Sequence, residues 1–289
     1  MNDAALPNWQ PTTFLRFERA LATSARTALI VTDAGRAYIK AMGPKLSPNT
    51  LACEWVGSQL ARWFGLPTFR FALMPVDDID EIPLADGTLA TPGMAFVSQE
   101  IQGHVWSGTR EELQQLENPE DISRLVVFDT WTLNCDRFAP AGMNRLPHYD
   151  NVFLSHEVMY EGVGPGYLRL IGMDHTHCFS CGRELTAQLA NIDRVKSDAI
   201  YGLFPAFVSF VDQIAVRAAV ATLRLASTEV VRPMVESIPD EWQVSLAART
   251  ALVQLICSRA AYLVDRISDG ITALCLPDDL NSDSRGGPP

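Results

Sequence analysis

The stretch DTWTLNCDR at residues 129–137 is followed by NVFLS at 151–155 and by YLRLIGMDHTHCF at 167–179. A helical pattern over 122–133 delivers Asp136 and Arg137 into an irregular loop rich in Pro, Gly and Asn. The runs Val152–His156 and Tyr167–Ile171 predict a β-hairpin across the turn Gly-Val-Gly-Pro-Gly. Because the open ends of a hairpin meet, we expect Asn151 and Asp174 to be neighbours, with the Asp136 loop leading into them.

The residue types gathered there are those of a phosphoryl-transfer site. An amide oxygen beside carboxylates suits Mg²⁺, which takes few protein ligands and completes its shell with phosphate oxygens. Phosphoryl transfer also needs a carboxylate that orients the attacking hydroxyl and a lysine on the triphosphate. Three of the 23 basic residues are lysines. Lys40, at the end of a strand-like Tyr-Ile-Lys, fits the last role, and Glu54 on the next helix is placed to pair with it.

The remaining patterns predict an α+β protein of two lobes. Strands are predicted at Ala28–Thr32 and Arg36–Met42 around the turn Asp33-Ala34-Gly35, at Phe69–Val76, and within 91–103, with one helix from Leu51 to Phe64. From about Glu184 to Leu276 the pattern is helical throughout. We expect an N-terminal nucleotide-binding lobe at 1–103, a mostly helical catalytic lobe at 104–279, and a loose tail at 280–289.

Composition narrows the functional class. The chain has 289 residues, 47% hydrophobic and 20% charged, so it is long and apolar enough for a large core. Its net charge of −11 argues against direct binding to nucleic-acid phosphate, which needs a basic face. No apolar stretch reaches the 18 or so residues of a membrane span. Six cysteines in a chain of this length are too sparse for a disulfide scaffold, so we expect reduced thiols and a cytoplasmic protein.

The ordered set of motifs resembles the HipA-like kinases, especially their smaller members, and more distantly the type II phosphatidylinositol 4-kinases. The motifs that carry the resemblance are Lys40, Glu54, Asn134-Cys135-Asp136-Arg137, Asn151, and Met173-Asp174-His175 before Phe179. It extends to NTLACEWVGSQLARWFGLP at 49–67 and to IPDEW at 238–242 followed by SRAAYLVDRI. It therefore covers most of the chain from about residue 25 to 270.

The resemblance implies a bilobed protein-kinase-like fold, with a small antiparallel-sheet N-lobe, and ATP- and Mg²⁺-dependent phosphorylation of a hydroxyl, most readily a protein Ser or Thr. Asp136 would orient the hydroxyl and Arg137 would steady its loop. Asn151 and Asp174 would hold the metal, and Lys40, kept in place by Glu54, the α- and β-phosphates. Gln99, Glu100 and Ile101 would occupy the hinge whose backbone meets adenine. A small DNA-binding antitoxin or other regulatory protein is the partner that the family implies.

One departure from the family pattern concerns the metal-binding asparagine. The family places it about five residues after the catalytic Asp, but position 141 is Ala, and Phe138 replaces the usual His. Asn144 and Asn151 both follow later. We favour Asn151, because the strand that should follow the ligand begins at Val152, so that 139–150 becomes an insertion-bearing loop.

Other readings of these residues stay open at this stage. A small-molecule or lipid-headgroup kinase would use the same machinery, and a nucleotide-binding pseudokinase would use only part of it. Taken singly, Lys40 reads as a solvent-facing strand residue and Asp136-Arg137 as a local ion pair. The two histidines and the Cys-x-x-Cys within 175–181 could ligate zinc, although structural zinc sites usually draw ligands from two separate stretches.

Overall fold

The computed structural model describes residues 9–23, 26–44, 47–157 and 167–275. Five antiparallel strands form the N-terminal sheet in the order β1-β2-β3-β5-β4. They are β1 Phe14–Ala20, β2 Ala28–Thr32, β3 Gly35–Lys40, β4 Phe71–Val76 and β5 Gly93–Gln99. The predicted hairpin of β2 and β3 is confirmed, and Gly35 has a φ of +102°, which favours glycine.

Strand β1 was not predicted, because its side chains do not alternate between apolar and polar. It pairs with β2 at the edge of the sheet, with two shifts of register, and all seven of its side chains are exposed or half-buried. An edge strand of this kind carries little hydrophobic signal.

Helix α1, Pro48–Trp63, follows β3. The side chain of Ser47 accepts a hydrogen bond from the Asn49 N–H, and a proline occupies the first turn, so the predicted helix is confirmed but begins three residues before Leu51. The buried side chains of α1 join the larger hydrophobic core, with Phe128 and Trp131 of the C-terminal region. The sheet keeps a smaller core of its own, around Ile30, Ile39 and Val97. The helix thus lies between sheet and C-terminal region.

A second, three-stranded sheet has the order β6-β7-β8. Its strands are β6 Gly103–Val105, β7 Val152–Ser155 and β8 Arg169–Gly172. The antiparallel pairing of β7 and β8 confirms the second predicted hairpin, whose turn at 162–166 lies outside the described residues. β6 was missed because three residues are too few to show a period.

The C-terminal helices are α2 Arg110–Leu113, α3 Glu120–Thr132, α4 Ile192–Val195, α5 Gln213–Leu223, α6 Thr228–Glu236, α7 Leu246–Leu263 and α8 Ile267–Cys275. The expectation of helix throughout 184–276 is wrong over 184–212. That stretch holds short helical turns and irregular backbone, because Gly202 adopts a φ of +73° and Pro205 cannot continue a helix. The predicted tail at 280–289 lies outside the described residues.

The fold is therefore α+β, an antiparallel five-stranded sheet joined to a helical C-terminal region. Trp242 bridges the two, since its buried indole N–H donates to the Met94 carbonyl of β5 at 2.9 Å. Within the described ranges, no helix is long and apolar enough to cross a membrane.

Candidate functional site

Three charged groups from three separate elements meet here, of which Lys40 and Glu54 are buried and Asp174 is half-buried. Lys40, the last residue of β3, places its Nζ 3.0 Å from Glu54 Oε2 on α1 and 3.3 Å from Asp174 Oδ1 after β8. The predicted pairing of Lys40 with Glu54 is confirmed. Glu54 Oε2 also accepts a hydrogen bond from the His175 N–H at 2.9 Å, which joins α1 to the turn that carries Asp174.

The electrostatics of this cluster favour the charged forms of Lys40 and Asp174 and disfavour that of Glu54. Burial lowers the pKa of Lys40, but the carboxylates of Asp174 and Glu54 outweigh it and leave that pKa above its usual value. Burial would raise the pKa of Asp174, but Lys40 and a hydrogen bond from Thr176 hold it well below its usual range. The pKa of Glu54 is raised, because burial exceeds the effect of Lys40.

Gly57 allows α1 to approach this turn closely. A Cβ at position 57 would lie 2.5 Å from the Cβ of His175, closer than side chains approach one another. The bond between Glu54 and the His175 N–H depends on that contact, so Gly57 contributes to the site through its size.

A second cluster surrounds Asp136. Helix α3 ends at Leu133, which adopts a left-handed φ of 56° and turns the chain into the loop Asn134–Arg137. Asn151 Nδ2 donates to Asp136 Oδ2 at 2.9 Å. Val152 pairs with Gly172, and the Met173 N–H reaches the Asn151 carbonyl, so Asn151 and Asp174 are neighbours, as predicted. The Asn151 nitrogen is used on Asp136, so its amide oxygen is the atom left for a cation.

Arg137 fixes the position of the two clusters relative to each other. Its side chain is fully buried and pairs with the fully buried carboxylate of Asp129 on α3. Arg137 Nε donates to the Asn151 carbonyl at 3.1 Å, and an Nη donates to the Met173 carbonyl at 2.6 Å. One guanidinium thus fixes the backbone beside both proposed metal ligands, and Arg137 is a positioning residue.

Two residues near Asp136 were missed by the sequence reasoning. His177 Nδ1 lies 3.4 Å from Asp136 Oδ2, and Arg145 lies 3.7 Å from Asp136 Oδ1. Arg145 belongs to the exposed loop at 139–150, where no pattern in the sequence indicates the conformation of the chain. His177 was considered only as a zinc ligand.

The three residues predicted to form the hinge, Gln99, Glu100 and Ile101, lie where β5 ends. Gln99 closes β5, with its N–H donating to the Arg70 carbonyl at 2.8 Å. Glu100 forms an ion pair with Arg36 at 2.9 Å, and Ile101 leads towards β6. Their contact with adenine stays a prediction.

The histidine and cysteine run does not assemble a zinc centre in the part of the chain that the structure describes. No group of three or more His, Cys, Asp or Glu side chains is placed there to hold a metal ion. His175 is buried edge-on against Phe128, with ring centroids 5.3 Å apart. The Cys178 thiol donates to Thr132 Oγ1 at 3.6 Å.

Comparison with known proteins bears on this arrangement. Residues 18–157 match the family model of the HipA-like kinases. The resemblance to that family is confirmed. The HipA-like match contains Lys40, Glu54, Asp136, Arg137 and Asn151, and it ends before Asp174.

Solved structures extend the likeness of this chain to a fold. It is similar to the crystal structure of a Helicobacter pylori proinflammatory kinase, CtkA, with 12% identity and a TM-score of 0.56, over 93% of this chain and 100% of that one. It also matches the Mycobacterium tuberculosis PknI kinase domain, solved as a double mutant, with 13% identity and a TM-score of 0.28, over 92% of this chain and 98% of that one. A search of curated proteins found no match. At these identities the first likeness shows a shared kinase fold.

The buried pair of Arg137 and Asp129 gives a stability prediction. Arg137→Met should lower the free energy of unfolding by about 3–5 kcal/mol, because it leaves an uncompensated carboxylate in the interior. Adding Asp129→Asn should restore part of that loss, since the remaining amide is neutral. Urea denaturation of the two single variants and the double variant measures this coupling. Strictly additive losses would show that the pair is not coupled as the structure indicates.

Proposed function

We propose that this protein is an ATP- and Mg²⁺-dependent phosphotransferase of the HipA-like kinase type that phosphorylates a protein Ser or Thr hydroxyl. The observation that carries the proposal is Lys40, held between Glu54 and Asp174 within the interior that also contains Asp136 and Asn151. The family match and the kinase fold support a kinase-type phosphotransferase at the coarser level.

The nucleotide would be held by groups that are already charged and aligned. Lys40 would donate to the α- and β-phosphates, with Glu54 fixing the direction of its ammonium group. Asp174 and the amide oxygen of Asn151 fit Mg²⁺, since both are hard oxygen donors at adjacent ends of β7 and β8. The metal, when bound, would neutralise charge on the phosphate oxygens. Gln99, Glu100 and Ile101 would line the adenine side.

Asp136 would orient the acceptor and receive its proton. Its carboxylate accepts a hydrogen bond from Asn151, which fixes the side chain without removing its charge. As the acceptor oxygen attacks, its proton would move to an Asp136 carboxylate oxygen. Arg145 and His177 flank this carboxylate and would stabilise negative charge close to the transferred group.

The acceptor side of the site is open. Residues 141–150 are all exposed and lead directly into Asn151, next to Asp136. Such a surface suits a macromolecular acceptor better than a closed small-molecule pocket, and we therefore favour a protein hydroxyl over a small molecule or a lipid headgroup. A cognate antitoxin, Ser/Thr specificity and a cytoplasmic location stay predictions.

Two conservative variants separate transfer from binding. Asp136→Asn should keep nucleotide binding and lower the rate of phosphate transfer by at least about 100-fold, because it removes the base from the transition state. Asp174→Asn should weaken metal–nucleotide binding as well, because it removes a charged ligand.

Transfer is read from radiolabelled ATP with the protein alone and with a cell lysate, and binding is read from a fluorescent ATP analogue. If Asp136→Asn labels proteins as well as the wild type does, the role of Asp136 is refuted. Nucleotide binding without transfer by the wild type would identify a pseudokinase.

The two candidate asparagines give a matched pair. Asn151→Ala should raise the Mg²⁺ concentration needed for half-maximal transfer or abolish transfer, because Asn151 is buried between Asp136 and β8. Asn144→Ala should leave both quantities nearly unchanged, because Asn144 lies in the exposed loop. A Mg²⁺ titration of activity checks the ranking, and the reverse order would move the metal site into that loop.

A further inference from the structure

Two cysteine-bearing segments lie side by side next to the Asp136 loop. The Phe179 N–H donates to the Thr132 carbonyl at 2.6 Å, and the Cys181 thiol donates to the Leu133 carbonyl at 3.6 Å. These contacts bring Cys181 beside Cys135, close enough for the two thiols to interact directly. Cys135 directly precedes Asp136 in the chain.

The two thiols have different surroundings. Cys135 is fully buried, whereas Cys181 is half-buried. Arg145 donates to the Cys181 carbonyl at 3.1 Å, and Arg194 donates to the nearby Phe179 carbonyl at 2.6 Å, so two guanidinium groups face this turn. The hydrogen bond from Cys135, helped by Arg145 and Arg194 against burial, holds the pKa of Cys181 below its usual range. The same interaction, in which Cys135 is the donor, raises the pKa of Cys135 together with burial.

We propose that Cys135 and Cys181 form a reversible disulfide when the protein meets a peroxide. Cys181 has the features of the attacking thiolate, since it is partly accessible and lies among cationic side chains. Cys135 is held within hydrogen-bond reach as the resolving thiol. In a reducing compartment such pairs are transient and sense oxidants rather than brace the fold.

The chemistry balances with one peroxide per disulfide. The Cys181 thiolate attacks one oxygen of hydrogen peroxide, the O–O bond breaks, and the leaving hydroxide takes a proton to become water. Cys181 is thereby oxidised to a sulfenic acid. The Cys135 sulfur then attacks the Cys181 sulfur, the S–O bond breaks, and the hydroxide leaves as water with the proton from Cys135. Two thiols and one peroxide give one disulfide and two waters.

The neighbouring thiols are suited to act as controls. Cys178 is fully buried with its thiol on Thr132, and burial raises its pKa well above the usual value. Burial likewise raises the pKa of Cys53 to about 12. Neither has appreciable thiolate at neutral pH, so oxidation should select Cys181.

The functional consequence rests on the proposed function. A disulfide requires the two sulfurs to approach to about 2.05 Å, much closer than a hydrogen bond. That approach shifts residue 135, and so disturbs the placement of the adjoining Asp136 against the amide of Asn151. The oxidised protein should therefore transfer phosphate more slowly, and a thiol reductant should restore the rate.

The test treats the full-length native protein with hydrogen peroxide, blocks free thiols and maps non-reduced tryptic peptides by mass spectrometry. Peptide 125–137 contains Cys135, and peptide 170–183 contains both Cys178 and Cys181. We expect these peptides to be linked in the wild type and in Cys178→Ala, but unlinked in Cys181→Ala. Dithiothreitol should release the link.

The inference is overturned if the wild type gives only sulfinic acid at Cys181, or if the link survives in Cys181→Ala and disappears in Cys178→Ala. Because the peptide link is scored by mass, it is read whether or not the protein transfers phosphate. Failure of the proposed function therefore shows as absent transfer before oxidation, whereas failure of this inference shows as an absent link.

Discussion

The site depends on the cost of burying charge. Lys40 and Glu54 are buried and Asp174 is half-buried, and a buried ion without a partner costs several kcal/mol. Because the three come from β3, α1 and the turn after β8, Lys40 and Glu54 can be buried at acceptable cost only if all three elements meet. This requirement ties the N-terminal sheet, the intervening helix and the C-terminal region to one geometry.

The same principle operates at Arg137. Its guanidinium is buried against Asp129 and uses its remaining donors on the carbonyls of Asn151 and Met173. Well-packed apolar side chains would often be as stable in such a place. The buried ion pair beside Asp136 and Asp174 is therefore more readily explained by the need to fix their backbone than by a gain in stability. The raised pKa of Glu54 likewise indicates that burying its carboxylate costs stability while it holds Lys40 in position.

The sequence was informative where local patterns determine geometry. Both hairpins follow from strand runs and turn residues, and the meeting of Asn151 with Asp174 follows from the rule that hairpin ends converge. The sequence was uninformative where contacts between distant segments determine the local structure. β1 and β6 have too little hydrophobic pattern, and 184–212 is held by its neighbours rather than by a helical period. Arg145 and His177 reach Asp136 only through tertiary folding.

The central claim is that Lys40, Asn151 and Asp174 form a site for ATP with Mg²⁺, and a thermal-shift titration tests it most directly. A ligand that binds only the native state stabilises it by about 2.7 kcal/mol at one hundred times its dissociation constant. We predict that ATP raises the melting temperature when Mg²⁺ is present and much less when it is chelated. No shift at millimolar ATP with Mg²⁺ present would contradict the account.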